Sequence, residues 1–578
     1  MRVNIFNSDY TVLCTGTSQE KAFGVMTANA FGIPWQLGEI LHSRGVTTLE
    51  QAQEFLFPQL TMLPQPDTMK GMREAVACIM EACGENRPIF IHGDYDVDGI
   101  SATALLMTFF KEIGQASFFY IPNRLEESYG LSIRSINRLV GQHPHRAGVL
   151  ISADCGITAV QEVAYAQQLG LRVVITDHHE PQETLPGADA IVNPKQPGCA
   201  FPCPFLSGVG VAFFLIMALR RAMGIDLNLK KYLDLVALGT VADVVPLVGV
   251  NRVLVRAGLE VLSARGRFGV LSLCECSGLE NREILTEDIS FKLAPRINAS
   301  GRLGCPHIGV ALLLAENMHR ARQIASELDR INAIRKQLET KALPGVEASC
   351  ATQVQAGSNG LTVYQPDCHA GVLGILASRM VDRYNQPTVL FADDLKSGGE
   401  GLIRGSGRSI KGLNLFHVLE QCSPLIEQYG GHAMAVGLTL KKNNLEQFSQ
   451  LFSEYINRIN DQLCNTSPVM VDYRLEDASI LSEPFARALQ WLQPFGEGNR
   501  EPVFLLPRLK LIAPKEHNNH LMFKVQGGEG QVFSGIGFRL ARSVLDPTRP
   551  ADLIFQFKRS WFRGMERNQV HALKIITA

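Results

Sequence analysis

The sequence predicts an α/β protein in which two lobes are joined by a long helix and followed by a small β domain. Between residues 88 and 176, solidly apolar segments alternate with amphipathic ones, a pattern typical of a parallel sheet covered on both faces. A similar alternation returns between residues 361 and 391. From residue 465 onward, short strand-like segments are separated by turns, which favours a small β barrel or sandwich, with an OB-like barrel as the best guess.

The first lobe is predicted from three strands and the helices between them. The strands are residues 88–92, 147–153 and 171–176, and the helices are residues 99–114 and 160–169. In an open α/β sheet, binding sites lie in the loops at the carboxyl ends of the strands. We therefore expect functional residues directly after each of these three strands.

The rest of the chain divides by composition. Prolines between Pro58 and Pro66 indicate a linker. Apolar residues at helical spacing from Val310 to about Leu343, with charge on the other face, predict a connecting helix. The expected domains are an N-terminal segment and linker (1–68), a first α/β lobe (69–308), the connecting helix (309–345), a second α/β lobe (346–464) and an OB-like domain (465–578).

Composition excludes several classes of protein. The chain has 578 residues, of which 46% are hydrophobic and 19% charged, with a net charge of −1, as expected for an ordinary globular protein. Its 13 cysteines form no CxxC pair, which argues against a disulfide framework and a structural zinc site. No signal peptide is recognisable, and the longest apolar run, 209–219, is too short for a bilayer. We expect a cytoplasmic protein.

Acidic residues and histidines stand in the loops after all three predicted strands. The first loop carries His92, Asp94, Asp96 and Asp98, the second carries Asp154, and the third carries Asp177, His178 and His179. A further acid, Asp243, lies among apolar residues in a predicted helix, 233–245. The carboxyl ends of parallel strands meet at one edge of a sheet, so these side chains are expected to converge.

Such a cluster favours divalent cations. Crowded carboxylates repel each other, and burial raises the cost of charging them. Oxygen ligands with one or two imidazoles suit Mn²⁺ or Mg²⁺. Asp96 and Asp98 could each contact a different ion, with Asp154 or Asp243 between the two. Two ions about 4 Å apart can hold both the attacking hydroxide and the leaving oxygen of a phosphoryl displacement, so the sequence predicts a metal-dependent phosphodiesterase.

Structural explanations exist for each motif taken alone. A calcium-binding EF-hand loop beginning at Asp94 would need a glutamate at its twelfth position, which is Leu105. Asp154 could cap a helix, Asp243 could pair with a buried arginine, and adjacent histidines are often structural. The coincidence of three motifs at the ends of three strands favours the metal site.

These motifs resemble those of the DHH phosphoesterase superfamily and, within it, the single-stranded-DNA-specific exonucleases. The resemblance includes Gly239-Thr-Val-Ala-Asp243-Val-Val-Pro and Pro295-Arg-Ile-Asn-Ala-Ser-Gly-Arg302 in the first lobe. In the second lobe it includes His369-Ala-Gly-Val-Leu-Gly-Ile-Leu-Ala, Gly405-Ser-Gly-Arg-Ser and Gly430-Gly-His-Ala-Met-Ala. It extends from about residue 35 to the end and weakens in the C-terminal domain.

The resemblance implies a parallel-sheet DHH lobe, a DHHA1-type second lobe and an OB-like barrel. It also implies an exonuclease that uses two Mn²⁺ or Mg²⁺ ions and degrades single-stranded DNA from the 5′ end to 5′-mononucleotides, in repair and recombination. Single-stranded DNA, a single-stranded-DNA-binding protein and a helicase are the implied partners of a monomeric enzyme.

The resemblance also implies site residues. The implied metal ligands are Asp96, Asp98, Asp154, His178, Asp243 and His92. His179 would contact the scissile phosphate, with Asp177 orienting the histidines, while Asp94 would support the loop. The implied substrate-binding residues are Arg124, Tyr129, Arg302, Ser406, Arg408 and His432.

Alternatives stay open for some of these residues. Arg124 could form a surface salt bridge with Glu126 or Glu127, and His432 could be structural. The family commonly has Gly-Tyr-Gly where this chain has Ser-Tyr-Gly at 128–130, so the loop that carries Tyr129 departs from the family pattern. The stretch 558–563, Lys-Arg-Ser-Trp-Phe-Arg, suits single-stranded nucleic acid or an ordinary hairpin.

Two other functions remain possible from sequence. The first is a related phosphodiesterase of short oligonucleotides or cyclic dinucleotides, although such relatives lack a C-terminal barrel. The second is a catalytically silent replication adaptor, which would normally have lost some of the acids that this chain retains.

Overall fold

The structure is a computed structural model of the whole chain. It describes residues 6–7, 10–14, 16–125, 127, 130–141, 147–394, 401–460, 469–541, 549–562 and 565–577. Within these ranges, no helix has the length and apolar character needed to span a membrane.

The first lobe contains the predicted parallel sheet. Its five strands, in spatial order, are Ser117–Tyr120, Ile89–Gly93, Val149–Ala153, Arg172–Thr176 and Ala190–Val192. The three predicted strands occupy the centre and are confirmed. The two edge strands were not predicted, because they are short and only partly buried and therefore lack a continuous apolar run.

Helices cover this sheet and extend the lobe. They are Met72–Gly84, Val97–Glu112, Ile133–Gly141, Val160–Gln168, Gly208–Met223, Leu233–Ala242, Gly249–Ala264, Phe268–Cys276, Thr286–Asp288, a π-helix Ile289–Leu293, Ala294–Arg302 and His307–Leu313. The helix predicted over 233–245 ends at Ala242, so Asp243 is its C-cap residue and not an interior one.

A single long helix, Met318–Gln355, connects the lobes. It differs from the prediction, because residues 307–313 form a separate helix and the long helix continues past Pro344. A proline inside a helix removes one backbone hydrogen bond. Beyond it, Val346 and Cys350 are buried in the core of the second lobe, and this packing stabilises the last turns.

The second lobe is the predicted second α/β unit. Its five-stranded mixed sheet has the order Gln428–His432, Ala435–Lys441, Leu402–Arg408, Thr388–Asp393 and Leu361–Tyr364. Its main helices are Leu373–Tyr384, Leu415–Gln421 and Leu445–Asn460. The strand Leu402–Arg408 forms from the glycine-rich segment, because the glycines at 405 and 407 leave room for packed neighbours on both sides.

The C-terminal domain is a seven-stranded mixed sheet with one short helix, Glu483–Leu489. The strand order is Tyr473–Arg474, Phe504–Leu509, Ala551–Phe562, Met565–Thr577, Val532–Gly537, His520–Gln526 and Ile512–His517. Buried residues alternate along His520–Gln526 and Val532–Gly537, as expected for a sheet with one face against a core.

The N-terminal segment packs against this C-terminal domain. Its helices are Ser18–Phe31, Trp35–Ser43 and Leu49–Leu56, and its strand Tyr10–Val12 pairs in parallel with Val469–Val471. Leu37, Ile40 and Leu56 share one buried core with Phe485 and Phe504. We propose that the described residues up to Leu56 and the C-terminal domain form one folding unit, in place of the two separate domains expected from sequence.

Replacing Leu37 by alanine tests this proposal. Leu37 is fully buried, and truncating such a leucine costs about 2–5 kcal/mol of folding free energy. We expect a lower thermal unfolding midpoint and faster proteolysis within residues 504–575, although Leu37 lies more than 400 residues before them. Leu573→Ala, at a position 42% exposed, is the matched control. Unchanged proteolysis of the C-terminal sheet would contradict the shared core.

Candidate active site

The loop after the first central strand is shaped by its own aspartates. Asp96 is the N-cap of the helix Val97–Glu112, and its carboxylate accepts hydrogen bonds from the backbone N–H groups of Asp98 and Gly99 at 3.0 and 3.2 Å. Asn298 holds the loop from the other side, since its Oδ1 accepts the N–H of Val97 at 3.1 Å. The backbone N–H groups of the three residues after Asp96 are therefore all held by side-chain oxygens.

Asp98 is buried and oriented by a second helix. Its two carboxylate oxygens accept the N–H groups of Gly208 and Val209 at 2.6 and 2.9 Å, at the start of the helix Gly208–Met223. Helix N-termini favour negative charge. A Cβ at Gly239 would lie 2.6 Å from Asp98 Oδ1, so glycine is required there for the carboxylate to fit.

Asp154 and His178 follow the next two strands and meet at the same place. Asp154 has a left-handed backbone, φ 65°, a conformation that aspartate tolerates better than most residues. Its Oδ1 lies 3.1 Å from Nε2 of His178. The same nitrogen lies 3.5 Å from Oδ2 of Asp243 and 3.9 Å from Oδ2 of Asp98. The structure thus brings together residues separated by about 150 positions in the chain.

The cluster has the composition of a metal centre. Potential ligand atoms lie within 4.8 Å of one another in three overlapping groups: Asp94, Asp96 and Asp154; Asp98, His178 and Asp243; and Asp154, His178 and His179. Among the described residues, the buried Oδ1 of Asp94 has no hydrogen-bond partner, and Oδ1 of Asp154 and Nε2 of His178, although 3.1 Å apart, form no hydrogen bond. Buried polar atoms are rarely left unpaired. Because the donors are oxygens with imidazole, they fit Mn²⁺ or Mg²⁺.

Electrostatics also favours a cation. Burial, and then the charge of Asp96, raises the pKa of Asp98 to about 7. Burial and neighbouring carboxylates raise the pKa values of Asp94, Asp154 and Asp243 well above the usual range. Without a bound cation, these acids therefore resist ionisation. A divalent ion would remove the conflict by supplying the opposite charge.

The metal-free protein should lose stability as pH rises from 6.5 to about 9. In this window the folded state retains a proton on His179, with its pKa at about 9, that the unfolded chain has released; up to about pH 7 it also retains a proton on Asp98. The free energy of unfolding falls with rising pH wherever the folded state binds more protons than the unfolded chain. We expect chelator-treated protein to show a declining thermal midpoint across this range. Saturating Mg²⁺ should weaken the decline, and Asp98→Asn should reduce it; a rising midpoint would contradict the cluster's electrostatics.

Asp177 and His179 form an ion pair beside the metal-ligand cluster. The Asp177 carboxylate accepts the backbone N–H groups of Ile157, His178 and His179, and it lies 2.7 Å from Nδ1 of His179. Although burial opposes it, the contact with His179 lowers the pKa of Asp177 to about 2. Burial lowers the pKa of His179, but the same contact outweighs it and raises the pKa to about 9. His179 is therefore held as a cation near neutral pH.

His92 and Asp94 differ from their expected placement. Nε2 of His92 lies 2.8 Å from Oγ of Ser135, and Nδ1 lies 3.8 Å from Sγ of Cys155. Among the described residues, none of the three potential metal groups includes His92, so this geometry does not favour it as a ligand. Asp94, in contrast, belongs to one of them. The role of Asn298 was not predicted from the sequence, although the residue lies in the motif from Pro295 to Arg302. An amide that supports a loop has no characteristic spacing in sequence.

Three arginines lie together where the two lobes meet. Arg302 ends the helix Ala294–Arg302, and Arg408 ends the strand Leu402–Arg408. Burial, followed by the charges of Arg124 and Arg408, lowers the pKa of Arg302 to about 9. Burial and Arg124 lower that of Arg408 to about 10. In the part of the chain that the structure describes, none of the three forms an ion pair with a carboxylate, so their charge is available to an anion.

Neighbouring groups complete this arginine cluster. Nη1 of Arg408 lies 3.3 Å from Oγ of Ser406. A Cβ at Gly374, near the start of the helix Leu373–Tyr384, would lie 2.7 Å from Nη2 of Arg408, so glycine is needed for the arginine to reach this position. Arg302 donates to the carbonyl of Gly371 at 3.3 Å.

The remaining predicted substrate residues have mixed outcomes. The guanidinium of Arg124 lies 5.1 Å from the ring centre of Tyr95; Glu127, proposed above as its partner, instead pairs with Arg138 at 2.8 Å. His432 lies at the surface. Its pKa is lowered first by partial burial of the ring and then by the charges of Arg408 and His179, so His432 lies near both residues. Tyr129, like Glu126, lies outside the described residues.

The basic stretch 558–563 contacts protein groups. Lys558 Nζ lies 2.5 Å from Glu287 and 2.7 Å from Glu501. Arg559 pairs with Glu283 at 3.0 Å and also with Glu566. Two of these acids belong to the first lobe, so both cations join the C-terminal domain to it. Phe562 has no described side chain and Arg563 lies outside the described residues. This geometry does not favour the stretch as an open nucleic-acid surface.

Comparisons with known proteins agree with this architecture. Family models match in chain order: "DHH family, N-terminal domain" at residues 88–240, "DHHA1 domain" at 357–458 and "RecJ OB domain" at 471–573. Fold and site thus define a phosphoesterase of the DHH class with a DHHA1 lobe and an OB domain. The chain is 36% identical to the single-stranded-DNA-specific exonucleases RecJ of Salmonella typhimurium and Escherichia coli, over 93% of this chain and 95% of each relative. The chain belongs to the RecJ family.

A solved structure supports the same assignment. The crystal structure of RecJ from Thermus thermophilus in complex with Mn²⁺ superposes with a TM-score of 0.81 at 28% identity, and the match covers 98% of this chain and 79% of that one. The predicted order of a DHH lobe, a DHHA1 lobe and an OB domain is therefore confirmed.

Proposed function

We propose that this chain is a metal-dependent exonuclease that hydrolyses single-stranded DNA from its 5′ end and releases 5′-mononucleotides, in DNA repair and recombination. One observation carries the proposal: a buried cluster of aspartates and His178, suited to divalent cations, lies beside three arginines that form no ion pair with a carboxylate of the described residues. The first group supplies hydrolytic chemistry, and the second supplies a site for phosphate. Relatives that share both lobes are named single-stranded-DNA-specific exonucleases.

The proposed metal ligands are the residues whose side chains converge. They are Asp94, Asp96, Asp98, Asp154, His178 and Asp243. When bound, two divalent ions would acidify a water molecule and offset the charge that develops on the phosphate. The protein contributes preorganisation, since Asp98 is fixed by two backbone N–H groups and Asp96 by the helix that it caps.

His179 is proposed to act on the substrate itself. Asp177 keeps its ring protonated and orients it through Nδ1. The protonated ring carries a second N–H at Nε2, which we propose as a donor to an oxygen of the scissile phosphate. A charged donor aimed at a developing negative charge stabilises the transition state more than the ground state.

The arginine cluster is proposed to hold the terminal phosphate. Arginine binds phosphate through two parallel N–H groups, and Arg302, Arg408 and Ser406 converge near the start of a helix, which itself favours anions. A 5′-phosphate carries more charge than an internal phosphodiester, so this site would select the 5′ end. Tyr129 and His432 are proposed to contact the terminal nucleotide.

The remaining proposals rest on the sequence and on the family resemblance. They are a cytoplasmic location, a monomeric state, and a single-stranded-DNA-binding protein and a helicase as partners.

An end-labelled digestion tests the proposed function. Single strands labelled at the 5′ or the 3′ end, and a blunt duplex, are incubated with Mn²⁺, Mg²⁺ or chelator. We expect the 5′ label to appear at once as a mononucleotide, the 3′-labelled strand to shorten progressively, and the duplex and chelator reactions to give no product. Preferred hydrolysis of a dinucleotide over long strands would instead favour an oligonucleotide phosphodiesterase.

A further inference from the structure

Two of the proposed metal ligands are held in different ways. Asp98 is fixed through its side chain, because the N–H groups of Gly208 and Val209 donate to its carboxylate. Among the described residues, no backbone N–H group donates to the carboxylate of Asp243, which lies 3.5 Å from Nε2 of His178. The charge of Asp98 repels it as well. The position of the Asp243 carboxylate therefore depends on the backbone that carries it.

The backbone directly after Asp243 is strained. Asp243 is the C-cap of the helix Leu233–Ala242, and the next residue, Val244, has a left-handed backbone, φ 62°. Many helices end in this conformation, but the residue is then usually glycine or asparagine, because a branched side chain crowds the backbone there. Val244 is 64% exposed, so its side chain gains little packing in return. The chain beyond it must therefore be held from elsewhere.

Two hydrogen bonds hold the chain beyond Val244. The N–H group of Leu247 donates to the carbonyl of Glu497 in the C-terminal domain at 2.8 Å. Closer to Val244, the carbonyl of Pro246 accepts Nδ2 of Asn251 at 3.0 Å. Asn251 is fully buried near the start of the next helix of the first lobe. Its amide is therefore the nearest side-chain anchor of the strained segment.

The same amide group also holds a second segment of the site. Nδ2 of Asn251 donates to the carbonyl of Phe205 at 2.7 Å, and an amide nitrogen carries two N–H groups, so both hydrogen bonds can form at once. Phe205 lies three residues before Gly208, whose N–H group holds Asp98. Asn251 thus bridges the segment that leads away from Asp243 and the segment that leads to the donors of Asp98.

We propose that Asn251 is a positioning residue of the metal centre: its amide keeps Val244 in the left-handed conformation and so holds the carboxylate of Asp243 at the metal-ligand cluster. Asn251 acts through the backbone and not as a ligand, since both N–H groups of Nδ2 bind carbonyls. This inference rests on the proposed function, because it takes Asp98 and Asp243 as metal ligands. Changing a hydrogen-bond partner that orients metal ligands commonly lowers metal affinity about 10- to 100-fold.

Binding of Mn²⁺ to chelator-stripped protein tests this role without any turnover. Free Mn²⁺ is measured by electron paramagnetic resonance, below the unfolding midpoint of every variant. Asn251→Ala should raise the Kd for Mn²⁺ about 10- to 100-fold. Leu254→Ala is the matched control, because Leu254 is fully buried in the same helix. It should lower the thermal midpoint and leave the Kd for Mn²⁺ unchanged. If Asn251→Ala does not fold, Asn251→Ser, which keeps a hydroxyl donor, should show a smaller rise.

Val244→Asn separates positioning from a general loss of structure. Asparagine tolerates the left-handed backbone, so this variant should raise the thermal midpoint by about 2–4 °C and bind Mn²⁺ like wild type. Added to Asn251→Ala, it should recover about threefold or more of the lost Mn²⁺ affinity, because the backbone no longer relieves strain by moving. If Asn251 only stabilised the fold, Val244→Asn would recover no affinity.

The outcomes separate this inference from the proposed function. If wild type binds Mn²⁺ and shortens single strands while Asn251→Ala binds Mn²⁺ as Leu254→Ala does, the positioning role is overturned and the exonuclease proposal stands. A double variant no better than Asn251→Ala would overturn it as well. Asp243→Asn should weaken Mn²⁺ binding at least as much as Asn251→Ala; unchanged binding would remove Asp243 as a ligand and this inference with it. If wild type binds no Mn²⁺ and shortens no strand, both proposals fail.

Discussion

Asp154→Asn is expected to reduce hydrolysis of single-stranded DNA by roughly 1,000-fold or more, which corresponds to about 4 kcal/mol of lost transition-state stabilisation. Asp154 belongs to two of the three potential metal groups and therefore lies at the centre of the cluster. Asparagine keeps the shape of the side chain and tolerates the left-handed backbone at this position. The change thus removes a charge and leaves the local fold intact.

The stability of the same variant provides an independent readout. In the metal-free protein, burial and then the charges of Asp98, Asp96 and Asp243 oppose ionisation of Asp154, so a neutral asparagine there should leave the thermal midpoint unchanged or raise it. Mn²⁺ should stabilise wild type, because it binds only the folded state, and should stabilise the variant less. Binding of single strands in chelator should persist, since the arginine cluster is untouched.

Asp226→Asn serves as the control, because Asp226 is an exposed aspartate of the same lobe. It should match wild type in rate, midpoint and Mn²⁺ response. A metal-free Asp154→Asn protein that unfolds at a much lower temperature would show that the carboxylate is needed for folding, and the assignment as a metal ligand would be wrong.

The convergence of these side chains can be predicted from the sequence because of two general properties of parallel sheets. Buried parallel strands appear as unbroken apolar runs, as at 149–153 and 172–176, and their carboxyl ends meet at one edge. Together these rules place Asp98, Asp154 and His178 near one another without any coordinates. The left-handed backbone of Asp154 and the two N–H groups that hold Asp98 lie beyond such rules, because they depend on segments distant in sequence.

Long-range packing explains the other differences. The association of the N-terminal helices with the C-terminal sheet joins residues more than 400 positions apart, and no local pattern encodes it. Lys558 and Arg559 have the composition of a nucleic-acid contact, yet they pair with acids about 270 positions earlier. A charged residue's partner, and not its type, decides whether its charge is available to a ligand.

Arg302, unlike Lys558 and Arg559, forms no ion pair with a carboxylate of the described residues, so its charge is available to a ligand. Arg302→Gln is expected to raise the Kd for 5′-phosphorylated single strands roughly 10- to 100-fold, because a hydrogen bond to a charged group contributes about 1.5–3 kcal/mol. The effect should be smaller for strands with a 5′-hydroxyl, since the contact proposed for Arg302 is to the terminal phosphate. The magnitude of the salt slope should fall by about one, as expected when one phosphate contact is removed.

Arg302→Gln is also expected to change the thermal midpoint in the direction opposite to an ordinary arginine substitution. Burial and the neighbouring charges of Arg124 and Arg408 disfavour the guanidinium of Arg302 in the free protein, so Arg302→Gln should raise the thermal midpoint while it weakens DNA binding. Arg73→Gln, at a side chain 80% exposed, should alter neither. Residues kept at a cost in stability are expected where a ligand supplies the missing partner; a lower midpoint in Arg302→Gln would instead assign the arginine a structural role at the junction of the lobes.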